Sequence, residues 1–86
     1  MPLSPTDRFE KQYLEKEPDE QDKVEKTLKL LEQNPRHPGL HARRVQGTKR
    51  IWECYIDDSM RVTFEYGKGC IILRNNCKHD ISKQSP

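Results

Sequence analysis

The chain has 86 residues, 31% of them hydrophobic and 35% charged, with three cysteines and a formal net charge of +2. That length allows one domain with one modest core, and no window is apolar enough to span a membrane. Three cysteines, Cys54, Cys70 and Cys77, leave at least one unpaired, which favours a reducing cytosol over a secreted disulfide scaffold, and no signal peptide is expected at Met1-Pro2-Leu3-Ser4.

Charge divides along the chain. Residues 1–33 hold 6 Lys/Arg against 9 Asp/Glu, a balance of −3, whereas residues 34–86 hold 10 against 5, a balance of +5. A basic half beside an acidic one is what a polyanion-binding surface needs, and a solvated mixed surface has the same composition.

A short opening strand around Pro2–Ser4 is only weakly signalled. Ser4-Pro5-Thr6-Asp7 then starts a helix over about residues 6–16, with Ser4 or Thr6 as the cap and Phe9 and Tyr13 at i and i+4. Glu17-Pro18-Asp19-Glu20 starts a second helix, in which Val24, Thr27, Leu28 and Leu31 form one stripe, and Asn34-Pro35 ends it near residue 33. Pro35-Arg36-His37-Pro38-Gly39 is a turn-rich connector, in which His37 can simply shape the turn.

Beyond the connector the period changes to two. The pattern predicts strands over Leu40–Val45, Ile51–Ile56, Met60–Tyr66 and Cys70–Arg74, with Asp57-Asp58-Ser59 and Gly67-Lys68-Gly69 as turns and a polar tail over 75–86. The order is a helical hairpin (about 6–33) followed by consecutive strands (about 40–74), all in one domain over 1–86. This predicts an α+β layer fold, with the hairpin packed on one face of a mainly antiparallel sheet of four or five strands. The packed face is expected to carry Trp52, Ile56, Val62, Phe64, Ile71 and Leu73, and Met60 to Tyr66 should alternate, sending Met60, Val62, Phe64 and Tyr66 inward.

The other face then collects Arg61, Thr63, Glu65, Glu53, Tyr55 and Arg74, with Arg43, Arg44, Lys49 and Arg50 on or beside the neighbouring strand and His79 and Asp80 past the last one. Arginine and lysine orient phosphates, and tyrosine can stack an unpaired base. Cleaving RNA through its own 2′-OH needs a base, an acid and a cation but no metal. Histidine titrates near neutrality and suits proton transfer, so His79 is a candidate, with Glu53 or Asp58 as the second group and Arg61 as the charge stabiliser. The plainer readings are a solvated His79 and an Arg61 paired with Glu53 or Glu65 across the sheet. Cys77-x-His79 is half a metal site without four placed ligands, so no metal is expected.

The run L-x-L-L-E-x-N-P-R-H-P-G-L, then R-V-Q-G, W-E-C-Y-I, M-R-V-T-F and I-I-L-R-N-N-C-K-H-D, resembles the RelE/ParE toxin superfamily, closest to its RelE, YoeB and YafQ-like branch. The match runs from Phe9 to about Asp80. The resemblance implies a compact microbial RNase fold and an mRNA endoribonuclease that cuts in the ribosomal A site, uses no cofactor and is silenced by a cognate antitoxin. It places Arg61 on the scissile phosphate and His79 in proton transfer. Tyr55 and Asp58 fall where YafQ-like members have a histidine and an aspartate, and Arg43, Arg44, Lys49 and Arg50 fall on the basic strand and loop that hold RNA. Cys77 stands where glycine is frequent, and the tail lacks the aromatic residue that often follows the histidine. The alternative the resemblance allows is a non-catalytic binding module of the same fold, directed at gyrase or binding only an antitoxin.

Overall fold

Thr6 stops the first strand and starts the first helix. Its hydroxyl accepts from Phe9 N–H at 3.2 Å and donates to Leu73 O at 2.8 Å, tying the helix start to the last strand of the sheet. The computed structural model describes residues 1–78 and residue 86. Within them the elements are β1 (Leu3–Pro5), α1 (Asp7–Leu14), α2 (Pro18–Gln33), a 3₁₀ turn (Pro38–Leu40), β2 (Arg43–Arg44), β3 (Trp52–Tyr55), β4 (Met60–Tyr66) and β5 (Ile71–Lys78). Glu17 and Glu20 form a reciprocal capping box at the start of α2, which satisfies backbone donors that a helix end leaves open.

Among the described residues the sheet has five strands in the order β1-β5-β4-β3-β2. β1 pairs parallel with β5, and the other neighbours are antiparallel. Phe9, Val24, Leu31 and Leu40 cover the face built from Cys54, Val62, Phe64, Ile71 and Leu73, and these nine residues form the core. The α+β architecture is the one the periodicity predicts.

Three local expectations need correction. Leu40–Val45 is not one strand: Leu40 closes the 3₁₀ turn that Pro38 begins, His41 is left-handed at φ 47°, and pairing starts only at Arg43. Tyr66 is 45% exposed rather than inward, its ring edge-on against Trp52 and Phe64 at the end of β4. The last strand continues through Asn75, Asn76 and Cys77 to Lys78 instead of stopping at Arg74.

That last extension has a physical reason. β1 flanks β5 only at Ile71–Leu73. Beyond it the side chains of α1 take over: Gln12 Oε1 accepts from Asn76 N–H at 3.0 Å, Gln12 Nε2 donates to Asn75 Oδ1 at 3.0 Å, and Asn76 Nδ2 donates to Phe9 O at 2.9 Å. The asparagines are thus buried with partners, which periodicity cannot reveal.

Candidate functional site

Cross-strand partners share a face. The pairings Arg43↔Glu53, Glu53↔Thr63 and Thr63↔Asn75, and Tyr55↔Arg61 and Arg61↔Cys77, therefore place these residues opposite the core-facing Cys54 and Val62. This is the polar face that alternation predicts.

Arg61 is the centre of it. Its Nη1 donates to Asp57 O at 2.5 Å and to Met60 O at 2.9 Å, and its guanidinium carbon lies 4.9 Å from the Tyr55 ring centroid. Among the described residues it forms no ion pair: Glu53 is taken by Arg43 at 2.8 Å and Glu65 by Arg74 at 3.6 Å. The plain cross-sheet pairing of Arg61 is thereby replaced by two neutral carbonyls and a ring. A guanidinium has five N–H donors, so two carbonyls can hold one edge while the other donors meet a further group.

Tyr55 is held in turn. Its hydroxyl donates to Asp58 Oδ1 at 2.7 Å, and this bond, with burial and the Asp58 charge, raises the phenol above its ordinary pKa. The Asp57-Asp58-Ser59 turn beneath is organised by Asp57, whose Oδ1 accepts from Ser59 N–H, Ser59 Oγ and Met60 N–H, while its Oδ2 meets Lys23 Nζ at 3.3 Å. Burial pushes the Asp57 carboxyl up, and the bonds from Ser59, Met60 and Lys23 outweigh it, leaving the group below its ordinary range.

A cleft of about 230 Å³ opens beside Arg61, lined by His41, Arg43, Glu53, Cys54, Tyr55 and Arg61. His41 packs edge-on against Tyr55 with ring centroids 5.8 Å apart. It is the one described non-glycine residue with positive φ, a conformation that costs energy and recurs at functional sites. Sequence reading missed His41 because it lay inside a predicted strand. The adjoining His-Pro-Gly signal, read as a tight turn that ends before Leu40, could have found it.

No protein-family model matches the chain, and no curated protein matches it in sequence. Solved structures do match. A YoeB/ParE toxin from Agrobacterium tumefaciens superposes with a TM-score of 0.77 at 15% identity, covering 92% of this chain and 99% of that one. The YoeB–YefM complex from Staphylococcus aureus gives 0.74 at 12% identity over 92% and 97%. The E. coli DinJ–YafQ toxin–antitoxin complex gives 0.71 at 11% identity over 92% and 92%. The chain has the RelE/ParE toxin fold, in its YoeB and YafQ form.

On this toxin fold the other predicted residues are dispersed. Arg44 pairs with Trp52 in register and so lies on the face opposite Arg61. Lys49 and Arg50 are exposed on the β2–β3 connection, which Gly47 turns with φ 84°. Arg74 stands at an irregularity of the β4–β5 ladder, where Thr63 pairs with Asn75 but Phe64 pairs with Leu73. Its guanidinium reaches the polar face, where it meets Glu65. His79 and Asp80 lie outside the described residues. The last residue of β5, Lys78, pairs with Met60, next to Arg61.

Among the described residues no group of three or more His, Cys, Asp or Glu side chains is placed to hold a metal ion, and no helix is long and apolar enough to cross a membrane. Cys54 is buried in the core, where loss of solvent pushes its thiol up to about 12. The sequence-predicted residues that the fold brings together are Arg61, Tyr55, Asp58, Glu53 and Arg43.

Proposed function

We propose that this chain is the toxin of a bacterial toxin–antitoxin pair, a cytoplasmic endoribonuclease that cuts mRNA on the ribosome and thereby inhibits translation. The observation that carries the reading is Arg61: a guanidinium without a described carboxylate partner, braced by Asp57 O, Met60 O and the Tyr55 ring beside an open polar cleft. The toxin fold agrees with it, and neighbours of that fold form complexes with YefM and DinJ. A protein antitoxin is accordingly the expected partner.

The reaction that suits these groups needs no metal or cofactor. A base takes the proton of a ribose 2′-OH, the 2′ oxygen attacks the adjacent phosphorus, and the 5′ oxygen leaves with a proton from an acid, giving a 2′,3′-cyclic phosphate. Arg61 stabilises the charge that builds on the phosphate oxygens. His79 is the proton-transfer group assigned from the sequence. His41, the Tyr55–Asp58 pair and Glu53, which Arg43 holds at 2.8 Å, line or border the cleft and are described groups able to serve the other proton. Arg43 and Arg74 on the Arg61 face, with Lys49 and Arg50 on the neighbouring connection, contribute positive charge along the RNA path, whereas Arg44 lies on the opposite face and is left out of it.

The test is inducible expression with mapping of mRNA 5′ ends, together with purified chain added to translating ribosomes. Cuts within codons that disappear with Arg61→Ala support the reading. Growth arrest without RNA cleavage, or with accumulating DNA breaks, replaces it with the non-catalytic binding module.

A further inference from the structure

A second cleft shares His41 with the Arg61 cleft. Its volume is about 350 Å³, and besides His41 its walls include Trp52 and Tyr66 from the sheet and Pro35, Arg36 and His37 from the connector. Trp52 pairs with Phe64 across the β3–β4 ladder and so stands on the packed face, yet it is only part-buried. Tyr66 is 45% exposed, and the two rings meet edge-on with centroids 6.0 Å apart. Phe64 meets Tyr66 in the same way at 5.8 Å. The fold therefore braces an aromatic pair and leaves part of it open.

The polar groups the connector brings to this cleft are donors. His37 Nδ1 accepts from Gly39 N–H at 3.0 Å, so the neutral ring carries its proton on Nε2. Arg36 is exposed and forms no ion pair among the described residues. No carboxylate of the described residues lines the cleft. Aromatic rings with a guanidinium and an imidazole N–H at the rim match an unpaired nucleobase, which offers a π face to stack and ring nitrogens and carbonyl oxygens that accept. An acidic protein segment would meet the same cations, and position decides between them.

His41 lines this cleft and the Arg61 cleft alike. The Arg61 guanidinium carbon lies 4.9 Å from the Tyr55 ring centroid, and the His41 ring lies 5.8 Å from the same centroid. An unpaired strand splays its bases away from its phosphates, so a phosphate at Arg61 and a base beyond His41 belong to one path. We propose that the cleft between Trp52, Tyr66 and the Pro35–His37 connector holds an unpaired nucleobase of the RNA whose phosphate lies at Arg61. The proposal rests on the RNA reading.

Trp52 is the only tryptophan of the chain, so its emission reports on this cleft. The probes are a fully 2′-O-methylated RNA oligonucleotide, which cannot be cut, and a base-free 2′-O-methyl ribose-phosphate chain of the same length. Anisotropy of an end label follows binding over a series of salt concentrations. The oligonucleotide should quench Trp52 with the midpoint of the anisotropy change, whereas the base-free chain should bind more weakly and leave the emission unaltered. Tyr66→Ala should lower affinity for the oligonucleotide about fivefold or more, the scale of one lost stacking contact, with its salt slope and the affinity for the base-free chain unchanged. Tyr66→Phe keeps the ring and should bind as the wild type does. Melting curves identify a variant that fails to fold, and Trp52 quenching in the wild-type chain then carries the test. Binding of the oligonucleotide by the wild-type chain with Trp52 emission unchanged overturns the base site, frees the cleft for a protein segment and leaves the RNA reading standing. Absence of salt-dependent binding by the wild-type chain overturns the RNA reading itself.

Discussion

Arg61 and Tyr55 face each other across the β3–β4 ladder, the guanidinium carbon 4.9 Å from the ring centroid, with both side chains tied to the same turn. Arg61 is bound to Asp57 O and Tyr55 to Asp58 Oδ1. The ring therefore positions the cation, and the turn positions the ring. Arg61→Ala is expected to reduce ribosome-dependent cleavage by about 10²–10³-fold, the usual loss on removing one transition-state donor. Tyr55→Phe keeps the ring and loses the Asp58 bond, so its effect should be smaller than that of Tyr55→Ala, which removes the brace. Single-turnover cleavage rates order the three variants. Equal rates for Tyr55→Ala and wild type would show that Arg61 needs no ring.

His41 allows its chemistry to be separated from its backbone. At φ 47° glycine is more comfortable than histidine, so His41→Gly should leave stability unchanged or raised while deleting the ring. If the imidazole moves a proton, cleavage falls about 10²-fold or more, since general acid–base groups contribute on that scale. Retention of the full rate with an unaltered pH profile would reduce His41 to a wall of the cleft.

The sequence displayed one part of this arrangement and hid another for identifiable reasons. Met60–Tyr66 was readable to the residue because strict alternation and two turn signals bracket it. The Phe9, Val24, Thr27 and Leu31 stripes were readable because each helix buries a single face. β2 was overextended because apolar spacing at Leu40 is the same for a 3₁₀ turn and a strand. The end of β5 was hidden because Asn75 and Asn76 look like tail residues until Gln12 and Phe9 O, more than sixty positions away, supply their partners. The ladder irregularity at Arg74 carries no glycine or proline to announce it. The site followed the same division: Arg61 and Tyr55 are local to one hairpin, whereas His41 reaches them only through the fold.

Asp57 gives the turn beneath Arg61 a dependence on acid. Its folded pKa lies below the ordinary value because charge-favouring bonds from Ser59, Met60 and Lys23 exceed the opposing effect of burial. A depressed carboxylate stabilises the fold above the unfolded pKa, about 3.9, and the contribution is lost as pH falls through the folded pKa. Asp57→Ala should therefore cost about 1–2 kcal/mol at pH 7, where several hydrogen bonds disappear, and the gap should narrow progressively below about pH 4. Urea titrations of both proteins at pH 7, 5, 4 and 3 measure it. A gap that is constant with pH would mean that the carboxylate charge contributes nothing to the turn.

Gln12 and Asn76 join α1 to the second half of β5, and their loss should be felt as stability rather than as chemistry. Asn76 is completely buried, and its Nδ2 donates to Phe9 O, while its Oδ1 has no hydrogen-bond partner among the described residues. Asn76→Ala leaves the Phe9 carbonyl without that donor in a dry place and should cost about 1–3 kcal/mol. Asn76→Asp should cost more, because it places a carboxylate where no solvent reaches and replaces the donor with acceptors. Gln12→Ala removes both the acceptor of Asn76 N–H and the donor to Asn75 Oδ1, so it also destabilises. Gln12 accepts from the Asn76 main-chain N–H, which alanine keeps, so the two changes remove different hydrogen bonds and their costs should add to within about 0.5 kcal/mol. Chemical denaturation of the four proteins closes that cycle. No loss of stability in either single variant would show that the helix and the strand are held by the apolar core alone.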